Sequence, residues 1–104
     1  MNNKQFEIRY LPAFKEDLRE ILFYIAHILR NPSAADALLT DVFDAIQQRS
    51  FCPEAFEAFQ SQFEHKHPYY RIYIRSYTIY YVVIGDVMEV RAIMYNRRNA
   101  HNLL

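Results

Sequence analysis

Arginine and tyrosine alternate along the C-terminal third of the chain, where their spacing could support chemistry on a phosphodiester. Arg71 and Arg75 are four residues apart, and Tyr73 stands midway between them. In a β-strand these three side chains share one side, with the two guanidinium groups roughly 13 Å apart. Arginine holds phosphate oxygens bidentately, and a phenol can stack on a base or relay a proton. The pattern predicts a nucleic-acid contact, although spacing alone slightly favours a merely solvated sheet face.

The distribution of charge makes the same region stand out. The chain has 12 Lys/Arg and 12 Asp/Glu, which gives a formal net charge of +0. Residues 66–104 nevertheless hold six bases and two acids, together with seven of the nine tyrosines. A basic surface rich in tyrosine suits phosphate contact and base stacking, while strands also favour tyrosine for packing reasons. The two explanations stay open at this point.

The elements that must position these residues begin with a strand and two helices. Residues 5–10 alternate apolar and polar side chains, which is typical of a half-buried strand. From Pro12 to about Arg30, apolar residues recur every three or four positions and predict an amphipathic helix whose stripe is Phe14, Leu18, Ile21, Ile25 and Ile28. A second helix opens either at Asn31-Pro32 or at Ser33. Its stripe is Ala35, Leu38, Leu39, Val42 and Ile46.

The rest of the chain is predicted to be a long connection followed by three antiparallel strands. Residues 50–68 contain two prolines and indicate a connection with at most one helical turn. The strands turn near Ser76 and at Gly85-Asp86, the position of the only glycine. In the last strand Met88, Val90, Ala92 and Met94 are expected to face the helices. The opposite, exposed face is expected to collect Arg71, Tyr73, Arg75, Thr78, Tyr80, Glu89, Arg91 and Tyr95. We therefore predict one α+β domain over residues 1–104, with the helical hairpin on one face of the sheet.

Composition excludes several classes of protein. The single Cys52 cannot form an internal disulfide, which favours a reducing, cytoplasmic setting. The N-terminus lacks the apolar stretch of a signal peptide, and no apolar run approaches the ~20 residues of a membrane helix. One glycine cannot build a phosphate-binding loop, and His65 and His67 are too isolated to predict a zinc site. We expect no metal, no cofactor and no membrane association.

The order of these elements, and three stretches of sequence, resemble a known family. The stretches are FEIRYLPAFKEDLREILFYI at residues 6–25, NPSAADALL at 31–39 and YYRIYIRSYTIYYVVIGDVMEVRAIMYNRRN at 69–99. The chain resembles the RelE/ParE superfamily of toxins from bacterial type II toxin–antitoxin systems. That resemblance implies a small α+β fold with two helices on an antiparallel sheet. It also implies a cognate antitoxin that wraps the toxin and masks its functional surface.

The resemblance implies two different activities. RelE-like members cleave messenger RNA on the ribosome with residues of the exposed sheet face, and here Arg71 and Arg98 match two of those positions. Tyr95 stands where many members have histidine. Tyr73 stands where those members have a second basic residue, Thr78 where they have an arginine, and Leu104 about where they have a terminal tyrosine. ParE-like members instead inhibit DNA gyrase without cleaving nucleic acid, and the tail Arg97–Leu104 is similar to theirs.

Three hypotheses therefore remain open. The first is a ribosome-dependent mRNA interferase with the catalytic candidates Arg71, Tyr73, Tyr95 and Arg98. Its RNA contacts would come from Arg71, Arg75, Arg91, Arg97 and Arg98. The second is a gyrase inhibitor with no enzymatic site, and the third is a detoxified copy that only binds its antitoxin. The sequence thus leaves the enzymatic activity undecided.

Overall fold

The computed structural model describes residues 4–60 and 66–96. These residues form, in chain order, β1 (Glu7–Tyr10), α1 (Pro12–Phe23), a π-helical turn (Tyr24–Ile28), α2 (Pro32–Arg49), β2 (Ala58–Phe59), β3 (Tyr69–Ile74), β4 (Tyr77–Ile84) and β5 (Val87–Tyr95). The strands make one sheet, and both helices pack on the same face of it. The predicted α+β fold is confirmed. None of the helices in this part of the chain combines the length and apolar character needed to cross a bilayer.

Prolines mark the start of both helices. Pro12 and Pro32 lie in the first helical turn, where the fixed φ of proline is already helical and its missing N–H is not needed. Ahead of Pro32, the Asn31 side chain accepts a hydrogen bond from the Ala34 N–H at 3.2 Å. This contact satisfies one of the unpaired donors at the helix start. Of the two starts predicted for the second helix, the structure has the one at Asn31-Pro32.

The first helical segment widens before it ends. From Tyr24 to Ile28 the backbone is π-helical, and the Leu29 N–H donates to the Tyr24 carbonyl at 3.0 Å. A π turn holds more residues than an α turn, so the three-and-four spacing no longer keeps the apolar side chains on one face. Ile28 is consequently 60% exposed, and its predicted place in the buried stripe is wrong.

The five strands follow the order β1-β5-β4-β3-β2. β1 runs parallel to β5, with Ile8 opposite Met88, and the other pairs are antiparallel. Two-residue turns join β3 to β4 at Arg75-Ser76 and β4 to β5 at Gly85-Asp86. The first residue of each turn has positive φ, 53° at Arg75 and 60° at Gly85, which confirms the predicted role of the glycine.

The hydrophobic core lies between the helices and the face of the sheet that they cover. The buried residues of this core are Phe14, Leu18, Leu38, Val42, Ile46, Tyr70, Ile72, Ile79, Tyr81, Met88, Val90 and Ile93. We call the opposite face of the sheet the outer face. It carries Arg9, Phe59, Tyr69, Arg71, Tyr73, Thr78, Tyr80, Val82, Glu89, Arg91, Ala92 and Met94.

A β-bulge at Arg91 reverses the alternation of β5. Tyr80 pairs with Ala92 while Tyr81 pairs with Val90, so Arg91 is the extra residue on β5. Beyond the bulge, Ile93 faces the helices and is buried, whereas Ala92 falls on the outer face. The prediction that Ala92 and Met94 face the helices is therefore wrong.

The connection between α2 and β3 contains a short strand that the sequence did not predict. Ala58 pairs with Tyr70 and Phe59 with Tyr69, which places the Phe59 ring on the outer face. Arg49 holds the start of this connection against the sheet, because its guanidinium lies 3.6 Å from the centroid of the Phe56 ring. Residues 61–65, with Phe63 and His65, lie outside the described residues.

Candidate functional site

Arg71 and Tyr73 share the outer face, as the alternation predicts. Tyr73 is 65% exposed, which leaves its phenol and ring accessible to a ligand. Arg71 lies across from Tyr80 in the neighbouring strand, and its guanidinium packs 4.2 Å from the centroid of the Phe59 ring. A cation held on an aromatic face keeps its charge available while its orientation is restricted. These two side chains are the accessible part of the predicted site.

Arg75 does not join them. It occupies the turn after β3, and its Nε donates to the Asp41 carboxylate of α2 at 3.0 Å. α2 lies on the helical side of the sheet, so the guanidinium is drawn away from Tyr73. The prediction that Arg71, Tyr73 and Arg75 line one side of a strand is therefore wrong at Arg75, because the strand ends at Ile74.

Tyr95 also lies apart from the predicted set. The bulge at Arg91 puts Tyr95 on the same side of the sheet as Tyr77, its paired residue on β4. The centroids of the two rings are 5.6 Å apart in an edge-to-face arrangement. Tyr95 is 55% exposed at the end of α1. The prediction that Tyr95 shares a face with Arg71 is therefore wrong, because the extra residue in β5 reverses the alternation of side chains beyond it.

Arg91 stays on the outer face but is engaged with an acid. Its Nε donates to Oε1 of Glu89 at 3.0 Å, and Arg9 donates to Oε2 of the same carboxylate at 3.2 Å. Glu89 is only 7% exposed, so two guanidinium groups compensate a nearly buried carboxylate. Arg91 also donates to the Tyr69 hydroxyl at 3.2 Å. The centre of the outer face is thus a packed polar cluster.

Tyr80 lies at the base of this cluster. It is nearly buried, and its ring is 6.1 Å from that of Phe59 in an edge-to-face contact. Burial raises the pKa of the Tyr80 phenol, and the nearby charge of Arg71 works in the opposite direction. The phenol therefore stays protonated at neutral pH and acts as a packing group.

Thr78 occupies the position at which the RelE-like pattern has an arginine. The residue is 2% exposed, and its hydroxyl donates to the side-chain oxygen of Asn96. A long cation at this point would have to leave the packed surface between β3 and β5. The departure from the cleavage pattern at Thr78 is therefore accommodated by the packing of the strand.

Comparison with known proteins identifies the family. The model of the ParE toxin of type II toxin–antitoxin systems, parDE, matches residues 8–100. The chain belongs to the ParE toxin family. A chain of a chromosomal ParDE toxin–antitoxin system from P. aeruginosa has a similar fold, with a TM-score of 0.72 and 12% sequence identity over 89% of this chain and 98% of that chain. A search of curated proteins gave no match.

Membership in this family makes the protein the toxin half of a type II toxin–antitoxin pair, whose partner is a cognate antitoxin. The predicted RelE/ParE relationship is thereby confirmed. Of the predicted site residues, Arg97 and Arg98 lie outside the described residues, as does Leu104. Within the described residues of this ParE-family toxin, no group of three or more His, Cys, Asp and Glu side chains is placed to hold a metal ion.

The sequence missed two parts of the outer face. Phe59 lies in the predicted connection, because a strand of only two residues is too short to show an alternating pattern in the sequence. Arg9 is one of the polar residues in the alternating segment 5–10, but its ion pair with Glu89 depends on a parallel pairing between strands 80 residues apart. Local alternation carries no information about such a pairing.

Proposed function

We propose that this ParE-family toxin inhibits DNA gyrase by binding and does not cleave RNA. The observation that carries the proposal is the division of the two predicted catalytic tyrosines between the two faces of the sheet. Tyr73 lies on the outer face, whereas Tyr95 lies on the side of Tyr77. Arg75, which was predicted to contact RNA, is paired with Asp41. The match to the ParE model over residues 8–100 supports the same assignment.

General acid–base catalysis requires both partners within hydrogen-bond reach of one scissile group. A phosphodiester on the outer face can approach Arg71 and Tyr73, but a proton donor on the other side of the sheet cannot reach it. Arg91 and Arg9 are already matched with Glu89. Among the described residues, the outer face therefore offers positive charge and a stacking ring rather than an acid–base pair.

A second function is supported by one feature of the same surface. Tyr73 is exposed beside Arg71, and that pair can stack a base and hold its phosphate. The second candidate is accordingly a ribosome-dependent mRNA interferase in which Arg71, Tyr73 and the tail arginine Arg98 act on the message. It requires a proton donor other than Tyr95, since that residue does not face the outer surface.

Parallel assays on the purified toxin separate the two functions. Inhibition of gyrase supercoiling, together with intact messages in induced cells, is the result expected from gyrase binding. Cuts within codons, revealed by primer extension, alongside unaffected gyrase would overturn that proposal in favour of the interferase. Normal growth under overexpression, with neither effect, would instead identify a copy that only binds its antitoxin. An Arg71→Ala, Arg98→Ala double variant is measured beside the wild type, because it should abolish RNA cleavage if the interferase is correct.

We further propose that the antitoxin covers the groove between α1 and α2. This groove has a volume of about 660 Å³, and apolar side chains such as Leu22, Phe23 and Leu39 line it. An amphipathic helix or strand would bury its apolar side there. Leu22→Asp should weaken the complex with the antitoxin at least tenfold in a titration. Unchanged affinity would place the antitoxin elsewhere.

A further inference from the structure

A second groove lies between α1 and the end of β5, and we call it the acidic groove. It has a volume of about 910 Å³. Asp17 and Glu20 line it from α1, Tyr24 lines it from the π turn, and Tyr77 and Tyr95 line it from the sheet. The described residues that line it include no Lys, Arg or His. Its charge is therefore negative.

The two carboxylates lack a compensating charge within the described residues. Neither Asp17 nor Glu20 forms an ion pair there. The pKa of Asp17 is raised, chiefly by burial and then by the neighbouring charges of Glu20 and Glu16, whereas a hydrogen bond with the Ile93 backbone lowers it. A cation placed in the groove would relieve this repulsion.

The walls also fit a particular cation. Tyr24 and Tyr95 are each more than half exposed, and Tyr77 stands edge-on to Tyr95. A guanidinium can stack on phenol rings while it donates to a carboxylate, which a compact ammonium does less well. The groove is therefore suited to arginine beside apolar residues.

The chain itself supplies such a segment. Asn96, one residue beyond Tyr95, is fixed by a hydrogen bond from its N–H to the Ser76 carbonyl at 2.7 Å. The eight residues that follow begin with Arg97 and Arg98 and end with two leucines. Eight residues span at most roughly 28 Å when extended, and the segment starts next to Tyr95, which lines the same groove as Asp17 and Glu20.

We propose that the acidic groove is the docking site of the chain's own C-terminal segment Arg97–Leu104, with the guanidinium groups on the carboxylates of Asp17 and Glu20. Opposite charges and the point at which the segment leaves the sheet support this occupant over a second protein. While it is docked, the two arginines are withheld from nucleic acid and from an acidic partner. The proposal is independent of whether the toxin's target is gyrase or messenger RNA.

A double-mutant cycle on the full-length protein tests the docking. Glu20→Arg and Arg98→Glu should each lower stability in urea unfolding at low salt, and the combined charge swap should recover it. The coupling expected is roughly a two- to five-fold change in the unfolding equilibrium constant, which 1 M NaCl should remove. Asp44→Arg with Arg98→Glu is the control cycle, because Asp44 is an exposed acid on α2 outside the groove.

A fluorescence measurement on the same protein keeps the test decisive if Glu20→Arg fails to fold. The chain has no tryptophan, so Tyr24→Trp provides a single reporter in the groove. Arg97→Glu with Arg98→Glu should increase quenching of that reporter by acrylamide. If the effects of Glu20→Arg and Arg98→Glu on the free energy of unfolding were additive and the quenching of the reporter were unchanged, the proposal would be overturned. Coupling that rises with protein concentration would overturn it too, because the occupant would then be the tail of a second copy.

Discussion

The Nε of Arg75 donates to Oδ2 of Asp41 at 3.0 Å, and this contact ties the β3–β4 turn to helix α2. Both side chains are about half exposed, so solvent screens the pair. The ion pair matters for geometry, because it directs the Arg75 guanidinium toward the helices. Arg71 and Tyr73 therefore remain on the outer face without Arg75 beside them.

Asp41→Asn tests this ion pair. The free energy of unfolding should fall by about 0.2–1 kcal/mol at low salt, as is usual for an exposed pair, and the loss should shrink in 1 M NaCl. Urea unfolding at both salt concentrations measures it. Asp44→Asn, one turn further along α2, is the matched control and should change little. Equal losses in the two variants would argue for a general effect of helix charge.

The bulge at Arg91 is tested by comparing two neighbours on β5. Ile93→Ala should cost ~2–5 kcal/mol of stability, because the side chain is 2% exposed in the core. Met94→Ala should cost well under half as much, since Met94 lies on the outer face and is only partly buried. Urea unfolding of both variants gives the comparison. A larger loss at Met94 would mean that β5 continues without a bulge.

Local patterns were sufficient to predict most elements of the fold. The amphipathic helices, the Gly85-Asp86 turn and the meander follow from side-chain spacing within a few residues. The bulge does not, because Ala92 and Ile93 are both apolar and either could face the core. The π turn at Tyr24–Ile28 likewise leaves no mark on composition.

The candidate site was predictable to the same extent. Arg71 and Tyr73 lie where strand alternation places them, since no irregularity separates them. Tyr95 is displaced by the bulge and Arg75 by the end of its strand, and each depends on a single backbone position. The Arg9–Glu89 pair depends on the parallel pairing of β1 with β5, which is a property of the whole chain.

Arg49 is expected to stabilise the fold from outside the hydrophobic core. One of its guanidinium nitrogens donates to the Arg71 carbonyl at 3.0 Å and to the Tyr81 hydroxyl at 2.8 Å. Arg49→Ala should cost about 2–3 kcal/mol, because partly buried acceptors lose a charged donor. Arg49→Lys should recover only part of this, since a lysine cannot reproduce the planar fork or the stacking on Phe56.

Urea unfolding measures the stability lost in the two Arg49 variants, and amide hydrogen exchange shows which part of the fold is loosened. Exchange at Ala58 and Phe59 should accelerate in Arg49→Ala before exchange in β4 does, because the lost contacts hold the α2–β3 connection. Gln48→Ala is the control at the adjacent exposed position. If exchange increased only in β4, the residue would be stabilising the sheet alone.

Alkaline pH should destabilise the fold through its buried tyrosines. The Tyr81 hydroxyl donates to the Pro53 carbonyl at 2.7 Å, and burial raises its pKa from 10.0, although Arg49 works in the opposite direction. Burial likewise raises the pKa values of Tyr10, Tyr77 and Tyr80. The folded state then retains protons that the unfolded state has lost, so the free energy of unfolding falls as pH rises above about 10.

Tyr81→Phe separates the contribution of this one phenol. At pH 7 it should cost about 1–3 kcal/mol, because the Pro53 carbonyl and Arg49 lose a partner. Above pH 10 the loss relative to wild type should shrink, since the variant has no phenol to ionise at that site. Urea unfolding from pH 7 to 11 measures both effects. Tyr73→Phe, on an exposed ring, is the control at pH 7 and should leave stability there unchanged. A constant difference between Tyr81→Phe and wild type across this range would show that ionisation of Tyr81 is not coupled to unfolding.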